Sequence, residues 1–182
     1  RLDRETSGVL LIAKKKSALK ALQDQFRERE TDKTYLALVK GVWPARLKVL
    51  DQPLHKYLLP DGERRVRVTT ADDPDGMRSI TLVKVADGGR RLRRWLAVRP
   101  QLHALQIGRT HQIRVHLSSA GHPIAGDDKY GDFELNRQLA RAGLKRMFLH
   151  AWRLRVTHPV TKSPIELCAQ LPEELQRWSS AE

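Results

Sequence analysis

Residues 108–131 read G-R-T-H-Q-I-R-V-H-L-S-S-A-G-H-P-I-A-G-D-D-K-Y-G, and they carry the most decisive structural signals in the chain. The run from Thr110 to Ala120 has a pattern that fits a strand or a helix. The Gly121-His122-Pro123 stop favours a helix that ends near Ala120. The glycines at 121, 126 and 131 then predict a tight loop that lies near another backbone.

The segments on either side of this stretch carry strand and helix patterns without strict β-α-β alternation. Residues 79–86 predict a strand, and residues 90–107 predict its hairpin partner across the Asp87-Gly88-Gly89 turn. Segment 44–65 contains three prolines and is expected to be irregular, with a short edge strand. Further strands are predicted at 9–13, 33–41 and 146–157, and helices at 133–142, at 173–178 and from Ser17, with an apolar face of Ala18, Leu22 and Phe26.

This mixture of elements predicts an α+β fold with a central mixed, mainly antiparallel sheet flanked by helices. The 182 residues have the length of one ordinary domain, so we expect residues 1–182 to form a single domain with its own core. No run of about 18 apolar residues occurs, so the sequence predicts no membrane span. Cys168 is the single cysteine, which excludes an internal disulfide and favours a reducing cytoplasm.

The charge balance is strongly basic, with 34 Lys and Arg against 21 Asp and Glu and a net charge of +13. A polyanionic partner is the natural interpretation, because neutralising phosphates releases bound counterions. A generally basic soluble protein is the plainer alternative. Within this excess, a basic stripe at roughly helical spacing is formed by Arg137, Arg141, Lys145 and Arg146.

The first candidate for chemistry is Asp3, which stands between Arg1 and Arg4 in R-L-D-R-E-T-S-G at residues 1–8. A carboxylate beside cations stays ionised and can act as a nucleophile or a base. On spacing alone, a solvated surface turn is the favoured alternative.

The second candidate is the cluster of Arg109, His111, Arg114 and His116 in residues 108–116. Phosphate contact is the functional interpretation. A metal site is its rival, but the two histidines are five residues apart, which does not stack two ligands on a helix. For His116 a hydrogen bond within the fold is expected.

The third candidate is the adjacent pair Asp127 and Asp128. These carboxylates could bind a divalent ion, although such a pair more often forms a turn or a helix cap.

Together these clusters resemble the RluA family of pseudouridine synthases. The family motif H-R-L-D-x-x-T-S-G matches residues 1–8 from its second position, and the family's K-x-Y strand resembles Lys33, Tyr35 and Gly41. The other motifs match at 107–116, at 121–131, at 149–154 (L-H-A-x-x-L) and at 158–159 (H-P). Ile107 stands where the family has threonine, and Val83 where it usually has an aromatic residue. The resemblance covers nearly the whole chain and is strongest to RluC-type enzymes, which modify large-subunit ribosomal RNA.

The resemblance implies a role for each matched residue. Asp3 matches the catalytic aspartate, and Arg114 matches the basic residue that forms an ion pair with it. Arg1 matches the arginine that enters the RNA stack when the target uridine flips out. RNA contacts are expected at Arg1, Arg4, Arg109, Thr110, His111, Gln112 and Lys129, and packing at the active site is expected from Tyr35, Val83 and Leu117.

The implied function is isomerisation of specific uridines in RNA, by cleavage of the N1–C1′ bond and formation of a C5–C1′ bond. Nothing is oxidised and no group is imported, so we expect no cofactor and no metal. The expected partner is RNA, ribosomal RNA first and transfer RNA second, and the expected protein is a cytoplasmic monomer that binds no membrane.

Two alternatives remain at this stage. One is a non-catalytic RNA-binding protein derived from this family, and the other is a metal-dependent nuclease built on Asp127, Asp128 and His111. Because the motif lacks its leading histidine, we also expect the intact protein to be longer, with further N-terminal strands and an upstream RNA-binding domain of the S4 kind. An aspartate two residues from a free end would then be held better in the longer protein.

Overall fold

The computed structural model describes residues 2–28, 30–86, 95–102 and 111–179, with the backbone alone in 95–102. Strands and helices occur there in mixed order. The strands are β1 (Ser7–Gly8), β2 (Asp32–Leu38), β3 (Val49–Asp51), β4 (Leu54–Leu58), β5 (Arg64–Val68), β6 (Ser79–Val85), β7 (Trp95–Leu102), β8 (Leu149–Thr157) and β9 (Pro164–Cys168). The helices are α1 (Lys16–Glu28), α2 (Gln112–Ser119), α3 (Phe133–Arg141) and α4 (Glu173–Ser179).

Seven of these strands form one sheet in the order β1-β8-β2-β7-β6-β3, with β9 also paired to β8. The short strand β1 runs parallel to β8, through the pairs Ser7–His150 and Gly8–Ala151. The other pairings described in this sheet are antiparallel. The predicted α+β class, with a mixed and mainly antiparallel sheet, is therefore confirmed.

The sheet buries both of its faces, because successive side chains along a strand point to opposite sides. Ala37 of β2 belongs to the main core, together with Ile113 and Leu117 of α2. The next residue, Leu38, belongs to a second cluster that includes Leu175 of α4. Helix α2 thus packs on one face of the sheet and α4 on the other, which fixes the orientation of every side chain that α2 carries.

Strands β4 and β5 form a separate two-stranded hairpin outside the main sheet. Leu54 and Val66 of this hairpin pack against Val115 of α2. The expectation that segment 44–65 is irregular with one short edge strand was wrong. Its three prolines lie outside the strands and separate them, so they end strands here without preventing strand pairing.

The predicted strand at residues 9–13 was also wrong. Val9 donates a backbone hydrogen bond to the Ala151 carbonyl (2.9 Å), but the ladder does not continue. Strand β9 pairs with β8 from Arg153 onward and so occupies the edge that residues 9–13 would need. Leu10 and Ile12 consequently remain 58% and 78% exposed.

The remaining predicted elements are confirmed within a few residues. Strands β1, β5 and β9 were not predicted, nor was one of the two strands β3 and β4. Helix α2 ends at Ser119, close to the predicted stop. Strand β7 is the antiparallel partner of β6, as the hairpin pattern indicated. The turn at 87–89 lies outside the described residues. Every helix in the described parts of the chain is too short or too polar to cross a membrane.

Candidate active site

Asp3 lies in a turn directly before β1. The Asp3 carbonyl accepts a hydrogen bond from the Thr6 N–H (3.0 Å). Ser7 Oγ lies 2.9 Å from His150 Nδ1, and the two residues pair across β1 and β8. The turn is therefore tied to the sheet, while the Asp3 side chain stays 28% exposed and open to a substrate.

Gly8 allows this turn to lie so close to the sheet. Its φ of +118° is a conformation that residues with a side chain rarely adopt. A Cβ atom at this position would lie 2.2 Å from the Ala151 carbonyl oxygen. Any side chain at Gly8 would push β1, and with it Asp3, away from β8.

Arg114 projects from the first turn of α2 and meets Asp3. Its Nη1 lies 3.5 Å from Asp3 Oδ2, and its side chain is 5% exposed. The two residues are 111 positions apart in the chain, and the predicted meeting of their side chains is confirmed. A buried cation beside a partly open carboxylate can hold that carboxylate in one orientation.

A second carboxylate holds Arg114 from the opposite side. Asp127 accepts hydrogen bonds from Arg114 Nε (2.7 Å) and Nη2 (2.6 Å), and its side chain is only 1% exposed. This is the two-point geometry by which a planar guanidinium best recognises a carboxylate. Asp128, which is 64% exposed, adds a weaker contact with Nη2 at 3.3 Å. Nη1 is thereby left to face Asp3.

Hydrogen bonds from neighbouring backbone groups and from Asn136 hold the loop around Asp127 in place. The N–H groups of Lys129 and Tyr130 donate to Asp127 Oδ1 at 2.9 and 3.0 Å. Asn136 Nδ2 donates to the Asp127 carbonyl, and Asn136 Oδ1 accepts from the Gly126 N–H, both at 2.8 Å. A Cβ at Gly126 would lie 2.2 Å from a neighbouring carbonyl oxygen, so the predicted close approach of this loop to another backbone is confirmed.

Burial and pairing act in opposite directions on this ion pair. Burial by itself raises the pKa of Asp127, but the hydrogen bonds and charge of Arg114 outweigh it, and the net pKa is lowered. For Arg114 burial lowers the pKa, and the bonds to Asp127 outweigh that effect, so the net pKa is raised. Both groups are therefore charged across the physiological range.

His111 and Tyr130 complete this side of the site. His111 Nε2 lies 3.9 Å from Asp3 Oδ2, and its Nδ1 lies 2.8 Å from the Tyr130 hydroxyl. Burial lowers the pKa of His111; Asp3 opposes that shift, and Arg114 adds to it. His111 is therefore neutral near pH 7.

Tyr35 lies on β2 close to Asp3. Burial, and then the negative charge of Asp3, raise the pKa of Tyr35 to about 12, so the phenol remains protonated. Tyr35 packs against the main core. The expectation that it lies at the site is consistent with this position.

Three expected site residues have other positions or partners. Gln112 is 4% exposed, and its amide donates to the Ile80 carbonyl and to Thr81 Oγ1, so it joins α2 to β6 and does not present its side chain to RNA. Val83 and Leu117 are 5% and 0% exposed in the main core. Their side chains therefore pack inside the core and do not line an exposed surface.

Several basic side chains that the sequence analysis counted toward RNA binding form ion pairs within the protein. They are Lys129 and, from the basic stripe, Arg137 and Arg146. Lys129 forms an ion pair with Glu63. Arg137 pairs with Glu134 on α3, and Arg146 pairs with Glu174 (2.6 Å) while donating to the Glu5 carbonyl (2.7 Å). The charges that the sequence counted as available for phosphates are thus partly neutralised by neighbours brought in by the fold.

The remaining RNA-binding candidates fall into two groups. Arg4 is exposed, next to Asp3 in the turn. Arg1, Arg109 and Thr110 lie outside the described residues, as does Ile107.

The geometry does not support a metal centre on the predicted carboxylates. Both oxygens of Asp127 are engaged by Arg114 and backbone N–H groups, and His111 faces Asp3 and Tyr130. A different trio, His55, Asp73 and Asp75, lies within 4.8 Å. Its His55 Nδ1 is 2.8 Å from Asp73 Oδ2, and Asp73 Oδ1 accepts from the Asp75 N–H, so both oxygens of Asp73 are already engaged.

Sequence reasoning missed the partners that hold the site together. Asp127 was considered as a metal ligand or turn former, and Tyr130 was not singled out. Asp127 and Tyr130 both belong to the G-D-D-K-Y-G segment at 126–131, which the sequence analysis had already marked as a tight loop. The segment does not indicate that Arg114 and His111 are the partners of these two residues.

Comparisons with known proteins agree on one family. The RNA pseudouridylate synthase family profile matches residues 1–119. Ribosomal large subunit pseudouridine synthase C from Escherichia coli (strain K12) is 48% identical, and the match covers 97% of this chain and 53% of that protein. The protein of the same name from Pasteurella multocida (strain Pm70) is 45% identical, with 97% and 51% covered. The chain thus spans about half the length of the curated relatives it matches.

Solved structures show the same relationship. Human RNA Pseudouridylate Synthase Domain Containing 1 has a TM-score of 0.71 and 29% identity, over 94% of this chain and 67% of that one. Human RNA Pseudouridylate Synthase Domain Containing 4 has a TM-score of 0.68 and 27% identity, over 97% and 73%.

Proposed function

The chain belongs to the RNA pseudouridylate synthase family, and from this premise we propose that it isomerises uridine to pseudouridine in RNA. The proposed substrate is large-subunit ribosomal RNA, because the relatives that are 43–48% identical are named for that subunit. The proposed location of this reaction is the cytoplasm, and the proposed oligomeric state is a monomer.

The observation that carries this proposal is the ion pair between Asp3 and Arg114. Arg114 Nη1 stands 3.5 Å from a carboxylate that is 28% exposed, while Asp127 holds the other side of the guanidinium. A protein that only binds RNA needs positive charge on its surface. It does not need a carboxylate that a buried arginine holds in one orientation. The pair therefore favours catalysis over the non-catalytic alternative.

The proposed chemistry needs only groups of this chain. The target uridine leaves the RNA stack, because its reacting atoms are otherwise covered by neighbouring bases. The Asp3 carboxylate then either bonds to C1′ as the N1–C1′ bond breaks, or removes the proton on the neighbouring sugar carbon as that bond breaks. The base turns and C5 bonds to C1′, while in the first route the bond from Asp3 to C1′ breaks and in the second route the proton returns to the sugar. Asp3 helps to remove the C5 proton, and N1 takes up a proton. Arg114 keeps Asp3 in place throughout.

A tritium-release assay tests this proposal. Ribosomal RNA transcribed with [5-³H]uridine loses tritium to water when C5 becomes bonded to C1′, so release measures the isomerisation directly. We expect release at a few discrete uridines, each mapped by sequencing of the product. Absence of release from both large-subunit and transfer RNA would contradict the proposed function of this chain.

RNA binding should depend steeply on salt. With several phosphate contacts, log affinity falls with log salt by about 0.7 per neutralised phosphate on a single strand. We expect Arg4→Gln to weaken binding and to reduce the slope by about that amount, because Arg4 is exposed beside the site. The measurement is fluorescence anisotropy with a labelled ribosomal RNA fragment between 50 and 200 mM salt, roughly the range over which such contacts are titrated.

Lys20→Gln is the matched control for Arg4→Gln. It removes the same charge from an exposed position on α1, away from the Asp3 turn. We expect the slope of Lys20→Gln to equal that of the unaltered chain. Equal slopes for all three proteins would contradict a phosphate contact at Arg4.

A further inference from the structure

The hydroxyl of Tyr130 connects the β4–β5 hairpin to His111. The Val66 N–H of β5 donates to this hydroxyl (2.9 Å), and the hydroxyl lies 2.8 Å from His111 Nδ1. The two rings meet edge to face with centroids 5.4 Å apart, and the Arg114 guanidinium lies 5.2 Å from the tyrosine centroid. Tyr130 is thus held from three directions.

These contacts favour one position for the proton of a neutral His111 ring. A phenol has one proton to donate, and the Val66 N–H already uses a lone pair of the oxygen. Among the residues that the structure describes, Nδ1 is the acceptor placed to receive that proton. A neutral imidazole that accepts at Nδ1 carries its own proton on Nε2.

The Nε2–H group points toward the catalytic carboxylate. Nε2 lies 3.9 Å from Asp3 Oδ2, the same oxygen that Arg114 Nη1 approaches to 3.5 Å. This separation is longer than a hydrogen bond, so the partly exposed Asp3 side chain would have to rotate toward His111 to form one. The His111 backbone has a φ of 62°, an uncommon conformation for a residue with a side chain, and such conformations cluster at functional sites.

We propose that His111, held as its neutral Nε2–H form by Tyr130, is a positioning residue for Asp3 in the isomerisation proposed above, on which this inference rests. A neutral donor orients the carboxylate. A protonated His111 would place a second full positive charge beside it and make it a weaker base and nucleophile. The β4–β5 hairpin, through Val66 and Tyr130, therefore takes part in setting the geometry of Asp3.

The charged groups around His111 predict the pH dependence. Asp3, from the turn before β1, and Asp127 favour the protonated imidazole, while Arg114 on α2 and Lys129 oppose it. Burial is the largest influence, and the net pKa of His111 is lowered. The neutral form therefore prevails at neutral pH, and the rate should fall only as the pH drops through that lowered pKa.

Nitrogen-15 NMR of the histidine-labelled chain tests the tautomer without any need for activity. The signal of His111, identified as the one that His111→Gln removes, should have the Nε2–H pattern at pH 7.5. Tyr130→Phe should convert it to a mixture of tautomers. Tyr57→Phe, which removes a phenol hydroxyl from the exposed strand β4, should leave it unchanged. An Nδ1–H or doubly protonated His111 in the unaltered chain would overturn the inference.

Single-turnover kinetics at saturating enzyme test the positioning role. His111→Leu removes the donor, and at saturating enzyme we expect a rate about 10- to 100-fold lower, the scale of loss from a small misplacement of a catalytic group. His111→Gln keeps an N–H donor that cannot titrate. It should recover most of the rate and lose the acid-side fall of the pH profile.

Equal losses for His111→Gln and His111→Leu, with an unchanged acid limb, would overturn the role of His111. Thermal midpoints show whether either variant is unfolded, and Tyr130→Phe, which keeps the ring packing, provides an independent readout in that event. Absence of tritium release from the unaltered chain would instead contradict the proposed function, and the tautomer measurement would still decide the geometry.

Discussion

Asp3→Asn abolishes pseudouridine formation while the fold and the RNA affinity persist; this is the largest effect we expect. Asparagine keeps the shape of the side chain but can act neither as a nucleophile nor as a base. Loss of such a group costs at least about 100- to 10,000-fold in rate. The side chain is partly exposed, and the turn is closed by the Asp3 backbone carbonyl, so the substitution leaves the local structure intact.

The measurement compares tritium release with RNA binding in the same preparation. Asp24→Asn is the matched control, since it makes the same chemical change on α1, where Asp24 pairs with Arg27. We expect full activity from Asp24→Asn and no release above background from Asp3→Asn. Residual turnover of Asp3→Asn within about tenfold of the unaltered chain would show that another group performs the chemistry.

The second large effect concerns stability. Asp127→Ala removes the two-point partner of Arg114 and leaves a guanidinium that is 5% exposed without its main counter-charge. Removing one partner of a buried ion pair costs about 3–5 kcal/mol of the free energy of unfolding. Asp3 and Asp128 remain near Arg114, but they lie at 3.5 and 3.3 Å and are more exposed, so they compensate only in part.

Urea denaturation checks this prediction. Asp128→Ala is the control, because it removes a carboxylate from the same arginine at a site that is 64% exposed, and we expect a change within about 0.5 kcal/mol. The double variant Arg114→Met with Asp127→Ala should be more stable than Asp127→Ala alone, since no unpaired charge is left buried. It should nevertheless be inactive. A cost below about 1 kcal/mol for Asp127→Ala would contradict the structural importance of the pair.

Several local features of the fold could be predicted from the sequence because neighbouring residues determine them. The Gly121-His122-Pro123 stop ends α2 within two residues of the expected place. Gly121 adopts the positive φ (81°) that glycine allows, and Pro123 cannot continue a helix, whatever the tertiary context. The β6–β7 pairing likewise agrees with two strand patterns on either side of the sequence Asp87-Gly88-Gly89. The resemblance of short motifs brought Asp3 and Arg114 together correctly, although 111 positions separate them.

Burial and partner choice were decided only in the folded chain, because they depend on which distant segments meet. Gln112 and Lys129 are residue types that suit RNA contact. In the folded chain the Gln112 side chain donates to the Ile80 carbonyl of β6, and Lys129 is paired with Glu63. Residues 9–13 have a strand pattern but form no strand, since β9 pairs with that edge of β8.

The sequence by itself determined that this is an α+β chain of this family, with Asp3 as the candidate catalytic group. The tertiary structure decided that Asp127 holds Arg114 and that the two ring nitrogens of His111 face Tyr130 and Asp3. The physical reason is that a hydrogen bond needs two groups within about 3 Å, and only the assembled fold brings such distant residues that close.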